Sequence, residues 1–166
     1  MNNNYETISH TFPAVFDSNS KVLILGSVPS VKSREQGFFY MHPQNRFWKV
    51  LSKVFNDDFL GDIKDKKAKL LKHNIALYDV IESCDIIGSS DVSIKNVVPA
   101  TEVINEILNK GKIQKIVLNG NKAATLFDKY FYFDNIQIIK MPSTSPANAA
   151  YSLDKLAEMW LNVCQD

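Results

Sequence analysis

Amides, flat rings and cations are the residue types that can hold a nucleobase and grip a phosphate backbone, and this chain gathers them in three places. The longest is Lys21 to Val50, KVLILGSVPSVKSREQGFFYMHPQNRFWKV. An apolar run stops at Gly26 and gives way to Ser27, Val28 and Ser30. Lys32 and Arg34 follow, then Phe39, Tyr40 and His42, and then Asn45-Arg46 at the opening of a helical pattern. Aromatic rings stack on bases regardless of sequence, and neighbouring cations add salt-dependent affinity for phosphates. The second place is Asn119-Gly120-Asn121. An asparagine amide offers a donor and an acceptor together, which can read the hydrogen-bonding edge of a base. The third is Pro142-Ser143-Thr144-Ser145-Pro146-Ala147-Asn148, whose small hydroxyls beside prolines suit close approach to a sugar–phosphate backbone.

Each of these residues also has a plainer reading. Asn45 precedes an apolar-periodic segment, the place for a helix N-cap. Asn119-Gly120-Asn121 reads equally as a turn into a helix. Phe39 and Tyr40, taken singly, are more often core than platform. His42 beside Pro43 sets a loop direction and suits a structural hydrogen bond better than catalysis. Lys32, Arg34, Arg46 and Lys49 are otherwise a solvated surface.

Several chemistries are excluded. There is no GxGxxG after the first strand and no Walker-type GKS or GKT, so neither nucleotide fingerprint applies. Ser27 and Ser30 lack a GxSxG elbow and a partnered histidine. His10 and His73 lie in unrelated segments, and Asp79, Asp85 and Asp91 show no ligand spacing. They read as capping or loop residues, and no metal is expected. Cys84 and Cys164 form no CxxC pair and cannot by themselves ligate an iron–sulfur cluster. They read as buried, reduced thiols, and no cofactor is called for.

The elements that position these groups follow from periodicity. Residues 1–20 read as a lead-in whose Phe12 and Phe16 pack on the body of the domain. Apolar runs at 21–25, 75–80, 115–118 and 136–141 read as strands buried in a parallel sheet. Helical spacing covers Asn45 to Phe55, Lys64 to His73, Pro99 to Leu108, Lys122 to Phe127 and Leu153 to Val163, while 27–44 and 82–91 read as loops. Alternating strand and helix predict an α/β fold: three layers, α/β/α, around a central, mainly parallel four-stranded sheet. The chain has 166 residues, 45% hydrophobic and 22% charged, which fits a single domain over 1–166. With 19 basic and 18 acidic residues the net charge is +1, which argues against a binder held by bulk charge and leaves a local basic face open. The polar start, MNNNYETISH, lacks the apolar core of a signal peptide, and no run reaches membrane-spanning length. A cytoplasmic monomer is expected. In such a fold the strand ends share one crevice, and the residues after Gly26, Asn119 and Met141 converge there.

The same residues carry a family resemblance. HPQNRFWKV at 42–50 is similar to a segment of the mismatch-specific branch of the uracil-DNA glycosylase superfamily. GSVPSVKSREQGFFY resembles the first motif of its hypoxanthine-DNA glycosylase branch, and Pro142 to Ala147 is similar to the second motif, which presses on the minor groove. Val28 stands where the mismatch-specific branch keeps a catalytic asparagine. The resemblance implies a monofunctional N-glycosylase acting on DNA with deaminated bases, hypoxanthine first and uracil next. It implies Asn45 as the catalytic amide that positions water, Asn119 reading the base, and Tyr40 or Phe39 stacking on it. Gly26, Ser27, Val28 and His42 would complete the base pocket. Ser30, Lys32, Arg34, Arg46, Ser143, Thr144, Ser145, Pro146 and Asn148 would contact DNA. The rivals are a uracil or mismatch-specific enzyme, a lesion-binding module without turnover, and a small-molecule α/β enzyme in the same crevice.

Overall fold

The computed structural model describes residues 4–164, so the first three residues of the lead-in lie outside it. In chain order the strands are β1 Glu6–Ser9, β2 Val22–Gly26, β3 Ile75–Asp79, β4 Ile81–Ile86, β5 Lys95–Pro99, β6 Lys115–Asn119 and β7 Gln137–Met141. The helices are α1 Val31–Gln36, α2 Phe47–Phe55, α3 Ile63–Lys72, α4 Thr101–Lys110, α5 Asn121–Tyr130 and α6 Leu153–Cys164.

β2, β3, β6 and β7 form a parallel sheet in the order β3-β2-β6-β7, flanked by helices. Every residue of β2 and β3 is buried, which is why both read as unbroken apolar runs rather than alternating ones. The chain leaves β2 toward β3 on one side and later returns past it to β6 on the other. Right-handed crossovers therefore put α2 and α3 on one face of the sheet and α4 and α5 on the opposite face. α6 returns to pack on α2. β2 is the point where strand order reverses, and a ligand crevice belongs at its carboxyl end.

The register sets what meets there. Gly26 pairs with Asp79 on β3, Leu25 pairs with Leu118 on β6, and Asn119 pairs with Met141 on β7. Asp79, Gly26, Asn119 and Met141 therefore form one row across the strand ends, with adjacent strands about 4.8 Å apart.

Two features depart from the expectation. The lead-in is partly structural: β1 pairs antiparallel with β4, and β4 with β5, making a second, three-stranded sheet. Its strands were hidden because β4 is polar at three of its central positions and irregular in register, while Pro99 ends β5, a position open to proline only at a sheet edge. The stretch after Gly26 also contains a helix, α1. It lacks apolar periodicity and is defined by its ends: the Ser30 hydroxyl accepts from the Ser33 N–H at 3.2 Å, and Gly37 at φ 71° stops it. Phe12 is buried and Phe16 packs on the core as expected, and Cys84 and Cys164 are buried free thiols.

Candidate active site

The crevice at the strand ends has a cavity volume of about 310 Å³. Its floor is cut by a missing side chain. A Cβ on Gly26 would come within 2.6 Å of Asp79 Oδ1 and 2.7 Å of the Tyr40 hydroxyl, so only glycine allows both groups to close over the strand end. Tyr40 reaches this spot through a backbone turn that a bulky residue rarely adopts, φ 54°. The turn is held from behind: Trp48 Nε1–H donates to the carbonyls of Phe39 at 3.2 Å and Tyr40 at 3.1 Å, and the Tyr40 ring stacks on Phe47 at 4.0 Å. Burial, and next the Asp79 charge, push the Tyr40 hydroxyl well above the ordinary phenol range. The Asn119 amide pulls the other way without completing a hydrogen bond, and the hydroxyl has no partner among the described residues. It remains a protonated donor.

Asp79 is also held from below. Its Oδ2 lies 2.8 Å from His10 Nε2, and His10 Nδ1 lies 3.0 Å from the Phe12 carbonyl oxygen. The His10 ring stacks on Tyr78 at 4.2 Å.

Above the floor, three amino acids from distant segments form a wired relay. The Phe47 N–H donates to Asn45 Oδ1 at 2.9 Å, and the Thr144 N–H donates to Asn119 Oδ1 at 3.1 Å. Backbone N–H groups can only donate, so both amide orientations are fixed. Asn119 Nδ2 then donates to Thr144 Oγ1 at 3.1 Å, and that hydroxyl in turn donates a hydrogen bond to Asn45 Oδ1 at 2.8 Å. Both lone pairs of Asn45 Oδ1 are thereby occupied. Asn45 lines the crevice, and its Nδ2 has no hydrogen-bond partner among the described residues. What Asn45 offers a ligand is a pair of N–H donors.

The family model for the uracil DNA glycosylase superfamily matches residues 13–164. The chain belongs to that superfamily. It is 33% identical over 156 residues to a hypoxanthine DNA glycosylase of Methanosarcina acetivorans, covering 91% of this chain and 95% of that relative. It is also 33% identical over 117 residues to a hypoxanthine DNA glycosylase of Methanosarcina barkeri, covering 68% of this chain and 71% of that relative. A Methanosarcina acetivorans protein solved by solution NMR has the same fold, with a TM-score of 0.73 at 28% identity and 92% and 94% of the two chains covered.

Within this superfamily member, most of the expected site residues do meet. Gly26, Ser27, Val28 and Ser30 line one wall, Tyr40, His42 and Asn45 a second, and Asn119, Ser143, Ser145 and Pro146 a third. His42 makes a structural turn, its Nδ1 accepting from the Gln44 N–H at 3.1 Å. Phe39 and Tyr40 both line the crevice, but Phe39 is 2% exposed and packs edge-on to Phe12 at 4.8 Å, while Tyr40 is only partly buried.

Several expected DNA contacts have other work. Thr144 is fully buried with its hydroxyl engaged on both sides, which removes it from any phosphate. The Arg46 guanidinium is spent on carbonyls of its own chain: Ser145 at 2.8 Å, Asn148 at 3.0 Å, and Tyr151. Arg34 likewise donates to the carbonyls of Pro29 at 2.7 Å and Gly88 at 3.0 Å, tying α1 to the β4–β5 connection. Asn148 Nδ2 closes its own loop on the Ser143 carbonyl at 3.0 Å. Lys32 stands outside the crevice, 3.5 Å from Glu35.

Lys122, in the first turn of α5, lines the crevice and was not singled out from the sequence. Asp79 reads from the sequence as a capping or loop residue, and His10 and His73 as lying in unrelated segments. Only the β2–β3 register, which sets Asp79 beside Gly26, reveals the pair.

Proposed function

We propose that this protein is a monofunctional DNA-deoxyinosine glycosylase: it takes hypoxanthine out of the duplex and hydrolyses the N-glycosidic bond, with uracil as its next substrate. The observation that carries this reading is the relay through Thr144, which leaves the Asn45 amide rigid and donor-only at the wall of the crevice. The relatives of the same length, named as hypoxanthine DNA glycosylases, support the choice of base. The protein acts on DNA as a monomer, and its chemistry calls for no cofactor.

The geometry changes the role assigned to Asn45. An amide positions an attacking water through its carbonyl oxygen, and that oxygen has no free lone pair here. The Nδ2 donors instead meet an acceptor on the departing base, where negative charge builds as the sugar becomes cation-like. Preorganised donors of this kind are worth on the order of 10²–10³ in rate, because they need no reorganisation at the moment of reaction. The Tyr40 ring, backed by Phe47, is the platform on which the extruded base stacks. Lys122, Ser143, Ser145 and Pro146 flank the mouth, where they contact the DNA backbone.

The test uses purified protein and duplexes carrying deoxyinosine, uracil, xanthine or mismatched thymine. Abasic sites are scored with and without alkali. Hypoxanthine release in single turnover is expected, with a strand break only after alkali. Asn45→Asp keeps both acceptor bonds but replaces the donors with a second oxygen, and should lower the rate on the order of 10²-fold or more. No release of any base, with tight lesion binding retained, would assign the fold to recognition alone.

A further inference from the structure

We propose that His10 and Asp79 form the acceptor half of the base-reading surface: an electroneutral pair under the crevice floor whose free oxygen, Asp79 Oδ1, accepts the ring N–H of a lactam base. This rests on the glycosylase reading above and specifies which bases it takes.

Hydrogen-bond accounting fixes the state of the pair. Among the described residues, the acceptor facing His10 Nδ1 is the Phe12 carbonyl at 3.0 Å, which can only accept, so Nδ1 carries a proton. The 2.8 Å contact between Nε2 and Asp79 Oδ2 then needs a proton of its own, since two lone pairs would otherwise face each other between side chains 0% and 5% exposed. Whichever partner holds that proton, the pair is neutral overall. Asp79 Oδ2 is thereby committed, and Oδ1 stays beside Gly26, on a residue that lines the crevice. The Tyr40 hydroxyl, fully buried on the same floor, is the one buried side-chain polar atom without a partner among the described residues. Buried polar groups are almost always satisfied, so a floor with spare hydrogen-bonding capacity marks a binding surface.

The chemistry selects the ligand. An acceptor at Asp79 and donors at Asn45 Nδ2 complement a base that presents a ring N–H beside a carbonyl, as deaminated bases do. Adenine or cytosine in the same register turns a ring lone pair toward the carboxylate and an amino group toward the donors. Neutralisation by His10 explains how a carboxyl can serve here at all. An uncompensated negative charge beside the base would oppose its departure as an anion, and the shared proton removes that penalty.

Single-turnover release is measured from duplexes carrying hypoxanthine or 1-deazahypoxanthine, whose keto form has C–H at position 1 and carries its ring proton on N3, for the wild type, Asp79→Ala, Asp79→Asn and His10→Gln, each checked by thermal melting. The wild type should favour hypoxanthine by on the order of 10- to 100-fold, the worth of one hydrogen bond to a charged group. Asp79→Ala should lose most of its rate on hypoxanthine and little on the analogue, collapsing the preference, while Asp79→Asn, whose amide can donate to His10 Nε2 and still present an oxygen to the base, should keep it. His10→Gln should slow both substrates while keeping the preference. Equal wild-type rates on the two bases, or an Asp79→Ala loss equal for both, overturns the proposal and leaves the glycosylase reading intact. A wild type inactive on hypoxanthine takes both down.

Discussion

Thr144→Val is the sharpest probe of the relay, because valine keeps the shape of threonine and removes only the hydroxyl. Thr144 is 0% exposed, and its hydroxyl accepts from Asn119 at 3.1 Å and donates to Asn45 at 2.8 Å. Two hydrogen bonds are lost. At about 1 kcal/mol net each the cost is about 2 kcal/mol, near the upper side because the Asn119 amide is left buried without that acceptor. For a chain of this size that corresponds to a fall in Tm of roughly 4–8 °C. The effect on rate should be larger than stability alone conveys. Asn45 keeps the Phe47 N–H but loses the second restraint on its amide, and a small misplacement of a reacting group costs on the order of 10²-fold. The assay is single-turnover release from a deoxyinosine duplex, beside thermal melts, with Thr144→Ser as the rescue. Thr144→Val at the wild-type rate would refute the relay as the device that holds Asn45. A Thr144→Ser variant as slow as the valine one would show that the methyl group, rather than the hydroxyl, matters.

Two further variants test the floor and the far side of the molecule. Gly26→Ala drives a methyl into Asp79 Oδ1 and the Tyr40 hydroxyl on a strand paired on both sides, and should destabilise by about 1–3 kcal/mol while slowing release by more than that loss predicts; melts and single-turnover rates measured together check it, and unchanged kinetics would remove the floor from the mechanism. Asp57 is held well below the usual carboxylate range, first by its hydrogen bond from Lys69 and then by His73 and Lys72. A carboxyl lowered in the folded state stabilises above the ordinary carboxylate range, and that contribution is lost as pH falls toward the folded value. Asp57→Asn should therefore lower the melting temperature at pH 7, with the gap from wild type closing as the pH is taken down to about 3; a gap that does not change with pH would mean packing, not charge, is what Asp57 supplies.

The parallel sheet was legible because its strands are buried on both faces and read as unbroken apolar runs. The motif residues Asn45, Tyr40 and Asn119 were legible as a set because amides and rings cluster at strand ends. What the chain did not disclose depends on pairing. Nothing in the sequence beside Asp79 marks it, and its meaning comes from sitting level with a glycine on β2. His10 lies in a segment with no apolar pattern, which becomes ordered by pairing with β4, itself polar and irregular. The arginines show a related competition. A guanidinium in a motif beside an aromatic cluster resembles a phosphate contact, yet loops full of unpaired carbonyls compete for the same donors, and here the carbonyls win.

The segment Asn45-Arg46-Phe47-Trp48 shows why such a run holds together as a unit. A bulky residue at φ 54°, as Tyr40 is, costs about 1–3 kcal/mol and persists only where its surroundings over-determine it. Trp48 fixes the carbonyls of Phe39 and Tyr40, and Phe47 backs the ring. The same Phe47 supplies the N–H that orients Asn45, while Arg46 ties down the loop that carries Thr144, through its own N–H to the Thr144 carbonyl at 3.0 Å and its guanidinium to Ser145 and Asn148. Four consecutive residues thus set the Tyr40 ring, the Asn45 amide and the loop that locks that amide. A change in any one of them moves more than one wall, so losses from Asn45 and Thr144 variants should combine to less than their sum, as expected when two residues serve a single relay.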